Sequence, residues 1–325
     1  MAENTMRAVV VEGGKGPAEA LKLAEIPRPV PGPGQILIKV EAAGVNRPDI
    51  MQRRGGYPPP PGAPDTLGLE VAGEVVHAAG RWKVGDRVCA LLGGGGYAEF
   101  AACDARHAQP IPGNISALEA ASLPETVFTV WANAFEAAGL KAGETFMIHG
   151  ATSGIGVAAI QMAKAAGARV IGTARGRAKA DQALSVGADV AVDATTEDFE
   201  AAAKAAGGVD VIVDLAGGPY FAKNLAALNT NGRLAYVAAN AGNIVELPIM
   251  LLMQKRLRIS GSTLRPRDAD EKARLAAEVE RVVWPWIEAG RIKAVIHQTF
   301  PLAEAAAAHA LMESDKHFGK IMLSV

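Results

Sequence analysis

The stretch HGATSGIG, His149–Gly156, decides how the rest of the chain reads. It follows the short apolar run ETFMIHG and opens into GVAAIQMAKAAG, where apolar residues recur at helical spacing and Gly167 marks a stop. Strand, tight turn and helix in that order are the setting of a dinucleotide pyrophosphate turn, and a second strand, ARVIG, follows about 20 residues on. The usual G-x-G-x-x-G is absent; the same frame gives Ala151-x-Ser153-x-x-Gly156. The first position must turn tightly, the second must let backbone approach the pyrophosphate, and the third must let the helix pack on the strand. Ala151 is small enough for the first task if its φ stays negative. Ser153 suits the second and adds a hydroxyl donor, and Gly156 meets the third. Gly154 adds backbone freedom, and a helix from about Ile155 aims its free N–H groups at the anion.

The end of the second strand selects the dinucleotide. An acidic residue there would bind the adenosine ribose 2′-OH and favour NAD. The segment is VIGTARGRAK: Thr173 and Ala174 hold the strand end, and Arg175, Arg177 and Lys179 follow. A 2′-phosphate carries about two negative charges, and each charge-assisted bond to it contributes roughly 1.5–3 kcal/mol. Basic residues at a helix start oppose the helix dipole unless an anion compensates. The expected cofactor is NADPH.

Outward from this unit, the 325 residues suggest two domains. Before residue 125, short β-rich runs such as QILIKVEAAGV and LEVAGEVVHAAG alternate with Gly/Pro punctuation. They read as a compact antiparallel or barrel-like β domain. Prolines make GYPPPPGAP, Gly56–Pro64, a rigid surface loop. After residue 125, strands and helices alternate, which predicts a parallel sheet covered on both faces. From about residue 265 a long helix, Asp268–Ala289, and a late helix, Leu302–Met312, flank IKAVIHQTF and a final strand, and are expected to return to the first domain. The expected division is 1–125 with 265–325, and 126–264.

Composition narrows the partners. Thirty-three basic and 34 acidic residues leave a net charge of −1, which gives no electrostatic case for nucleic acid or a membrane surface. Two cysteines are too few for a disulfide framework, the start lacks a signal-peptide layout, and no apolar run has membrane-spanning length. A soluble cytoplasmic protein is expected.

The stretches AAGVNRPDIMQRRGGYPPPPG, LGLEVAGEVV, WKVGDRVCALLGGGGYAEF, ASLPETVFTVWANAF, HGATSGIGVAAIQMAKAAGA and HFGKIML together resemble the zinc-independent quinone oxidoreductase (zeta-crystallin-like) branch of the medium-chain dehydrogenase/reductase superfamily. The resemblance covers nearly the whole chain. It implies an α/β protein in which a GroES-like β domain, built from both chain ends, accompanies a Rossmann doubly wound parallel sheet, with the cofactor in the cleft. It also implies a homodimer, commonly joined through the Rossmann sheet edge. By the same resemblance Asn46 and Asp49 line the nicotinamide cleft and Tyr57 stands at the substrate mouth. Lys179 contacts the adenosine phosphate, Thr129 contacts the cofactor, and Ser262 and Thr263 lie near the carboxamide. Phe318 and Lys320 of HFGKIML join the cofactor contacts. Ala194-Thr195-Thr196 and Met51 stand where some members carry tyrosines, so adenine packing and substrate shape are expected to differ.

Zinc-dependent relatives place Cys near position 46 and His-Glu in a G-H-E turn; here those positions read Asn46 and Gly68-Leu69-Glu70. The two cysteines form no C-x-x-C pair and the six histidines show no ligand spacing, so no metal site is expected. Without a Lewis acid, hydride delivery to a plain carbonyl would develop an unstabilised alkoxide. A quinone instead yields a phenolate-like anion. Pairing pKa guides of roughly 10 and roughly 16 gives about 8 kcal/mol less charge to stabilise. The expected activity is NADPH-dependent hydride transfer to a quinone-type acceptor, with water able to supply the proton. An NADPH-dependent enoyl or alkenal reductase shares the fold and cofactor, and a non-catalytic NADPH-binding structural or RNA-binding protein is the alternative from another class.

Overall fold

A computed structural model describes residues 4–325. The chain divides into two compact units. One holds the chain up to Glu125 together with Arg265–Glu288 and Ala294–Val325; the other holds Thr126–Leu264 and Ala289–Lys293.

The first unit opens with β1 (Thr5–Val11) and β2 (Leu21–Pro27), an antiparallel pair. The long strand β3 (Gln35–Val45) leads into helix α1 (Arg47–Arg53), followed by β4 (Glu70–His77), β5 (Arg87–Leu91), β6 (Phe100–Asp104) and β7 (Ala108–Pro110). The proline-rich loop between α1 and β4 has neither strand nor helix. Irregularities in the β3–β4 register bend the pair. Inward residues Ile36, Ile38, Val71, Val75, Trp82 and Tyr97 pack into one core. A short helix α2 (Ala117–Ala120) and helix α3 (Pro124–Val130) follow.

The second unit begins within α3 at Thr126, continues through a π-helical stretch, Trp131–Ala137, and then alternates strand and helix. In order come β8 (Thr145–His149), α4 (Gly154–Ala165), β9 (Arg169–Ala174), α5 (Arg177–Ser185), β10 (Val190–Asp193), α6 (Phe199–Ala205), β11 (Val209–Asp214), α7 (Phe221–Ala227), β12 (Leu228–Tyr236), α8 (Ile249–Lys255) and β13 (Arg258–Gly261). The six strands lie in the order β10-β9-β8-β11-β12-β13, and every pair is parallel. This is the doubly wound arrangement, whose strand order reverses beside β8. Both faces are covered, so β8, β9 and β11 are buried along most of their length.

The remaining chain forms α9 (Ala269–Val282), α10 (Trp284–Glu288), β14 (Ile296–Pro301), α11 (Ala305–Glu313) and β15 (Lys320–Ser324). β15 pairs antiparallel with β3 and parallel with β14, so the C-terminus completes the first unit's sheet. The single long helix expected over Asp268–Ala289 is two helices. Pro285 sits in the first turn of α10 and has no N–H to continue the ladder of α9. Residues 289–293 group with the second unit because Gln161 of α4 clasps Lys293, donating to its carbonyl at 3.0 Å and accepting its N–H at 2.8 Å. No helix among the described residues is long and apolar enough to cross a membrane.

Candidate active site

In the second unit the turn after β8 is built as the spacing demanded, with one difference. Gly150 has φ +80°, and the N–H groups of Gly150 and Ala151 both donate to the Thr173 carbonyl of β9, at 3.1 and 3.0 Å. A Cβ on Gly156 would collide with the Gly150 carbonyl oxygen and stand 2.7 Å from Ala151 Cα, so only glycine lets α4 approach this closely. The difference concerns Ser153. Its hydroxyl accepts from Gly156 N–H at 3.0 Å as the N-cap of α4 and donates to Gly150 O at 2.8 Å. Its proton is therefore used inside the turn, and the backbone N–H groups of Gly154 and Ile155, which have no intrahelical partners, remain for an anion.

The strand beneath carries a buried network. Thr173, expected at the cofactor, is shut off from solvent, and its Oγ1 lies 2.8 Å from His149 Nδ1. His149 Nε2 lies 2.7 Å from Asn224 Oδ1, Asn224 Nδ2 donates to Asp214 Oδ2 at 2.8 Å, and Asp214 Oδ1 accepts from Ala216 and Gly217 N–H. With Asn224 in this orientation, His149 carries its proton on Nε2 and accepts from Thr173 at Nδ1. Burial lowers its pKa, which keeps it neutral. It thus ties together the ends of β8, β9 and β11.

Beyond Ala174, Arg175 and Arg177 are exposed and Lys179 is half-buried on α5. Arg177 also pairs with Asp181 at 2.8 Å and Glu197 at 3.6 Å. Asp193, at the end of β10, accepts from Gly176 N–H at 2.8 Å and from Thr195 at two points, which lowers its pKa to about 2. Its charge shapes the loop that presents Arg175. Elsewhere in this unit Asn133 links two other expected cofactor residues: its Nδ2 donates to Thr129 O and its Oδ1 accepts from Ser262 Oγ, both at 2.9 Å. Thr263 follows at the exposed end of β13.

In the first unit Asn46, Asp49 and Lys320 converge. Asn46 starts α1, and its N–H donates to Asp49 Oδ2 at 2.8 Å. Asp49 is fully buried; it also accepts from Gly68 N–H at 3.0 Å and Tyr97 O–H at 3.1 Å. Burial pushes its pKa up to about 6 against these donors. It braces the start of α1 from below rather than presenting a carboxylate to a ligand. Lys320, expected at the cofactor, is likewise buried. Its three ammonium protons meet three acceptors: Glu70 Oε1 at 2.6 Å, Asn46 Oδ1 at 2.7 Å and Val45 O at 3.1 Å. No donor is left for a phosphate. Asn46 Nδ2 in turn donates to Glu70 Oε1 at 2.8 Å, so the amide is locked in one orientation. A side chain on Gly44 of β3 would overlap the Glu70 carboxylate.

Tyr57 is half-buried, its phenol pushed up chiefly by burial. The Arg265 guanidinium carbon lies 5.4 Å from its ring centre, while that guanidinium donates to Gly93 O and Gln52 Oε1. Phe318 is half-buried ahead of β15, its N–H 3.4 Å from His297 Nδ1. Sequence reasoning missed Glu70 as a ligand of Asn46, and it missed Arg265, Asn133, Asn224 and Asp214. The signal for Glu70 was present as a carboxylate inside the apolar run LGLEVAGEVV.

A doubly wound sheet whose first turn leads into a helix N-terminus is an arrangement that binds dinucleotides. Residues 32–113 match the alcohol dehydrogenase GroES-like domain family, and residues 154–281 match the zinc-binding dehydrogenase family. The quinone oxidoreductase of Rattus norvegicus is 33% identical over 99% of this chain and 98% of its own length, and that of Homo sapiens is 32% identical over the same shares. Among solved structures, an NAD-dependent alcohol dehydrogenase superposes with a TM-score of 0.87 at 32% identity, covering 98% of this chain and 100% of its own. A mycobacterial protein complexed with NADPH superposes at 0.84 and 30% identity, with coverage of 98% and 100%. The chain belongs to the medium-chain dehydrogenase/reductase superfamily, in the quinone oxidoreductase family.

Proposed function

We propose that this chain is an NADPH-dependent reductase of quinone-type acceptors that works without zinc. The observation that carries the cofactor choice is the end of β9: Thr173 faces inward to His149, no acid follows it, and Arg175, Arg177 and Lys179 come next. The residues fit a phosphorylated dinucleotide. Gly154 and Ile155 N–H would hold its pyrophosphate, the basic set its 2′-phosphate, and Thr129, Ser262 and Thr263 its nicotinamide end. A bound reduced nicotinamide supplies hydride.

Zinc independence is supported by the donor chemistry. The residues at the metal-ligating positions of zinc relatives are Asn46 and Leu69, and the polar centre around Asn46 is the Lys320–Glu70 ion pair. No group of three or more His, Cys, Asp or Glu side chains among the described residues could hold a metal ion. Asn46 is held inside that centre, its carbonyl on Lys320 and its amide N–H groups on Glu70 Oε1 and, at 3.5 Å, Gly44 O. A quinol anion, which spreads its own charge, needs less support than a simple alkoxide. The named relatives act on quinones, which favours that acceptor class.

A homodimer in the cytoplasm belongs to the same proposal. β13 is the edge of the parallel sheet and exposed along its length, and Ile249, Met250 and Met253 of α8 are exposed near it in sequence. An unpaired edge with apolar neighbours suits strand pairing with a second copy. The test of function is steady-state NADPH oxidation with a naphthoquinone and a 2-alkenal. Higher kcat/KM for the quinone is expected; a tenfold advantage for the alkenal would assign the chain to double-bond reduction instead.

A further inference from the structure

Three loops leave the carboxyl ends of β9, β10 and β11, the end at which open α/β sheets bind their ligands. The loop after β9 brings Arg175, and the loop after β10 brings only the small side chains of Ala194, Thr195 and Thr196. The loop after β11 brings an aromatic ring. We propose that Tyr220 stacks on the adenine of the dinucleotide and sets the affinity for its adenosine half, an inference that rests on the NADPH-binding function above.

Contacts on two sides place the ring. Its centre lies 4.9 Å from that of His149 in a T-shaped arrangement, and 5.1 Å from that of Phe199, the first residue of α6, at a tilt of 39°. His149 also meets Phe199 at 4.8 Å, so the three rings form one cluster. Its base is rigid, because Thr173 and Asn224 hold His149 at both ring nitrogens. The backbone that leads to Tyr220 is equally fixed. Asp214 Oδ1 accepts from Ala216 N–H at 2.6 Å and from Gly217 N–H at 3.0 Å, and Gly218 N–H donates to Gly242 O at 2.9 Å. Gly217 turns at φ +75°, where a Cβ would stand 2.4 Å from the same Gly242 oxygen. The chain leaving β11 therefore seats Tyr220 on the end of β8, the strand that opens into the pyrophosphate turn.

The cluster does not close over this ring. His149 and Phe199 are buried, whereas Tyr220 keeps part of its surface in water. A rigidly held ring with an open side suits a flat base, since stacking takes both from water at little cost in side-chain entropy. The charge beside it suits the same half of the cofactor. Burial raises the Tyr220 pKa, and of the charges around the phenol Arg175 acts most strongly, ahead of Asp214 and Lys223. Adenine and the 2′-phosphate are carried by one ribose, so a ring beside Arg175 stands where the base must lie once that guanidinium meets the phosphate.

The test measures binding to the cofactor-free protein of NADPH and of its two halves, 2′,5′-ADP and reduced nicotinamide mononucleotide, for wild type, Tyr220→Leu and Tyr220→Phe. Y220L should weaken NADPH and 2′,5′-ADP about tenfold or more and leave the mononucleotide within about twofold. Y220F keeps the ring and should stay within about threefold of wild type for all three. In turnover, KM for NADPH should rise in Y220L with kcat nearly unchanged. The chain has four tyrosines, few enough to resolve with ring-labelled tyrosine by nuclear magnetic resonance. In the 2′,5′-ADP complex an adenine ring proton should show a nuclear Overhauser contact to one tyrosine ring, and that contact should vanish in Y220F. If Y220L fails to fold, this measurement decides. A contact that survives in Y220F, no contact to any tyrosine, or equal losses for both halves in Y220L overturns the proposal. If wild type binds neither NADPH nor 2′,5′-ADP, the NADPH-binding function falls and this proposal with it; if it binds both and Y220L binds them equally well, the proposal falls alone.

Discussion

Lys320 Nζ stands 2.6 Å from Glu70 Oε1, and both side chains are closed to water. Removing one partner of such a pair leaves the other charge uncompensated, which typically costs about 3–5 kcal/mol, whereas removing both costs far less. Lys320→Met should therefore lower stability by about 3–5 kcal/mol in urea unfolding, and the E70Q/K320M double variant should recover most of that loss. A K320M protein within about 1 kcal/mol of wild type would show that the pair is not a buried charge pair in solution.

Asp49 gives stability a pH signature. Its folded pKa of about 6 lies above its ordinary 3.8 because burial favours the neutral acid. A raised pKa contributes stability that is full below about pH 4 and lost as pH rises through about 6. Wild type should lose on the order of 3 kcal/mol over that window relative to Asp49→Asn, whatever the constant offset between the two proteins. Parallel stability–pH curves between pH 4 and 7 would contradict the burial of this carboxyl group.

The proposed preference for NADPH rests on two side chains after β9. The double variant Arg175→Ala with Lys179→Ala should raise KM for NADPH at least about tenfold and leave NADH kinetics nearly unchanged, since each lost charge-assisted bond is worth roughly 1.5–3 kcal/mol. Equal losses with both cofactors would refute the 2′-phosphate assignment.

The close approach of α4 to its strand depends on Gly156. Gly156→Ala places a methyl group against the Gly150 carbonyl and Ala151, backbone that cannot swing aside, so the turn must open. Dinucleotide affinity measured by fluorescence should fall about tenfold or more, because the helix N-terminus leaves the anion. Unchanged affinity would mean that another element supplies the pyrophosphate contacts.

Why these sites divided into legible and hidden follows from their range in sequence. The turn was readable because its determinants, Gly150 to Gly156, act on one another within one helical turn. The doubly wound sheet was readable because its apolar runs and helical periods repeat. The polar networks were not. Lys320 reaches Asn46 across 274 positions and His149 reaches Asn224 across 75, so no local pattern marks them. Lys320 was itself expected at the cofactor, yet at the start of β15 it turns inward to Glu70. The break between α9 and α10 was marked by Pro285, but the charged face of the preceding helix masks it in a count of periodicity.

The most direct test of the whole account is quinone reduction by protein dialysed against a chelator, assayed with NADPH and with NADH while bound zinc is quantified. The account predicts undiminished activity, kcat/KM at least about tenfold higher with NADPH, and zinc far below one per chain. Stoichiometric zinc whose removal abolishes activity, or a preference for plain aliphatic aldehydes, would contradict it.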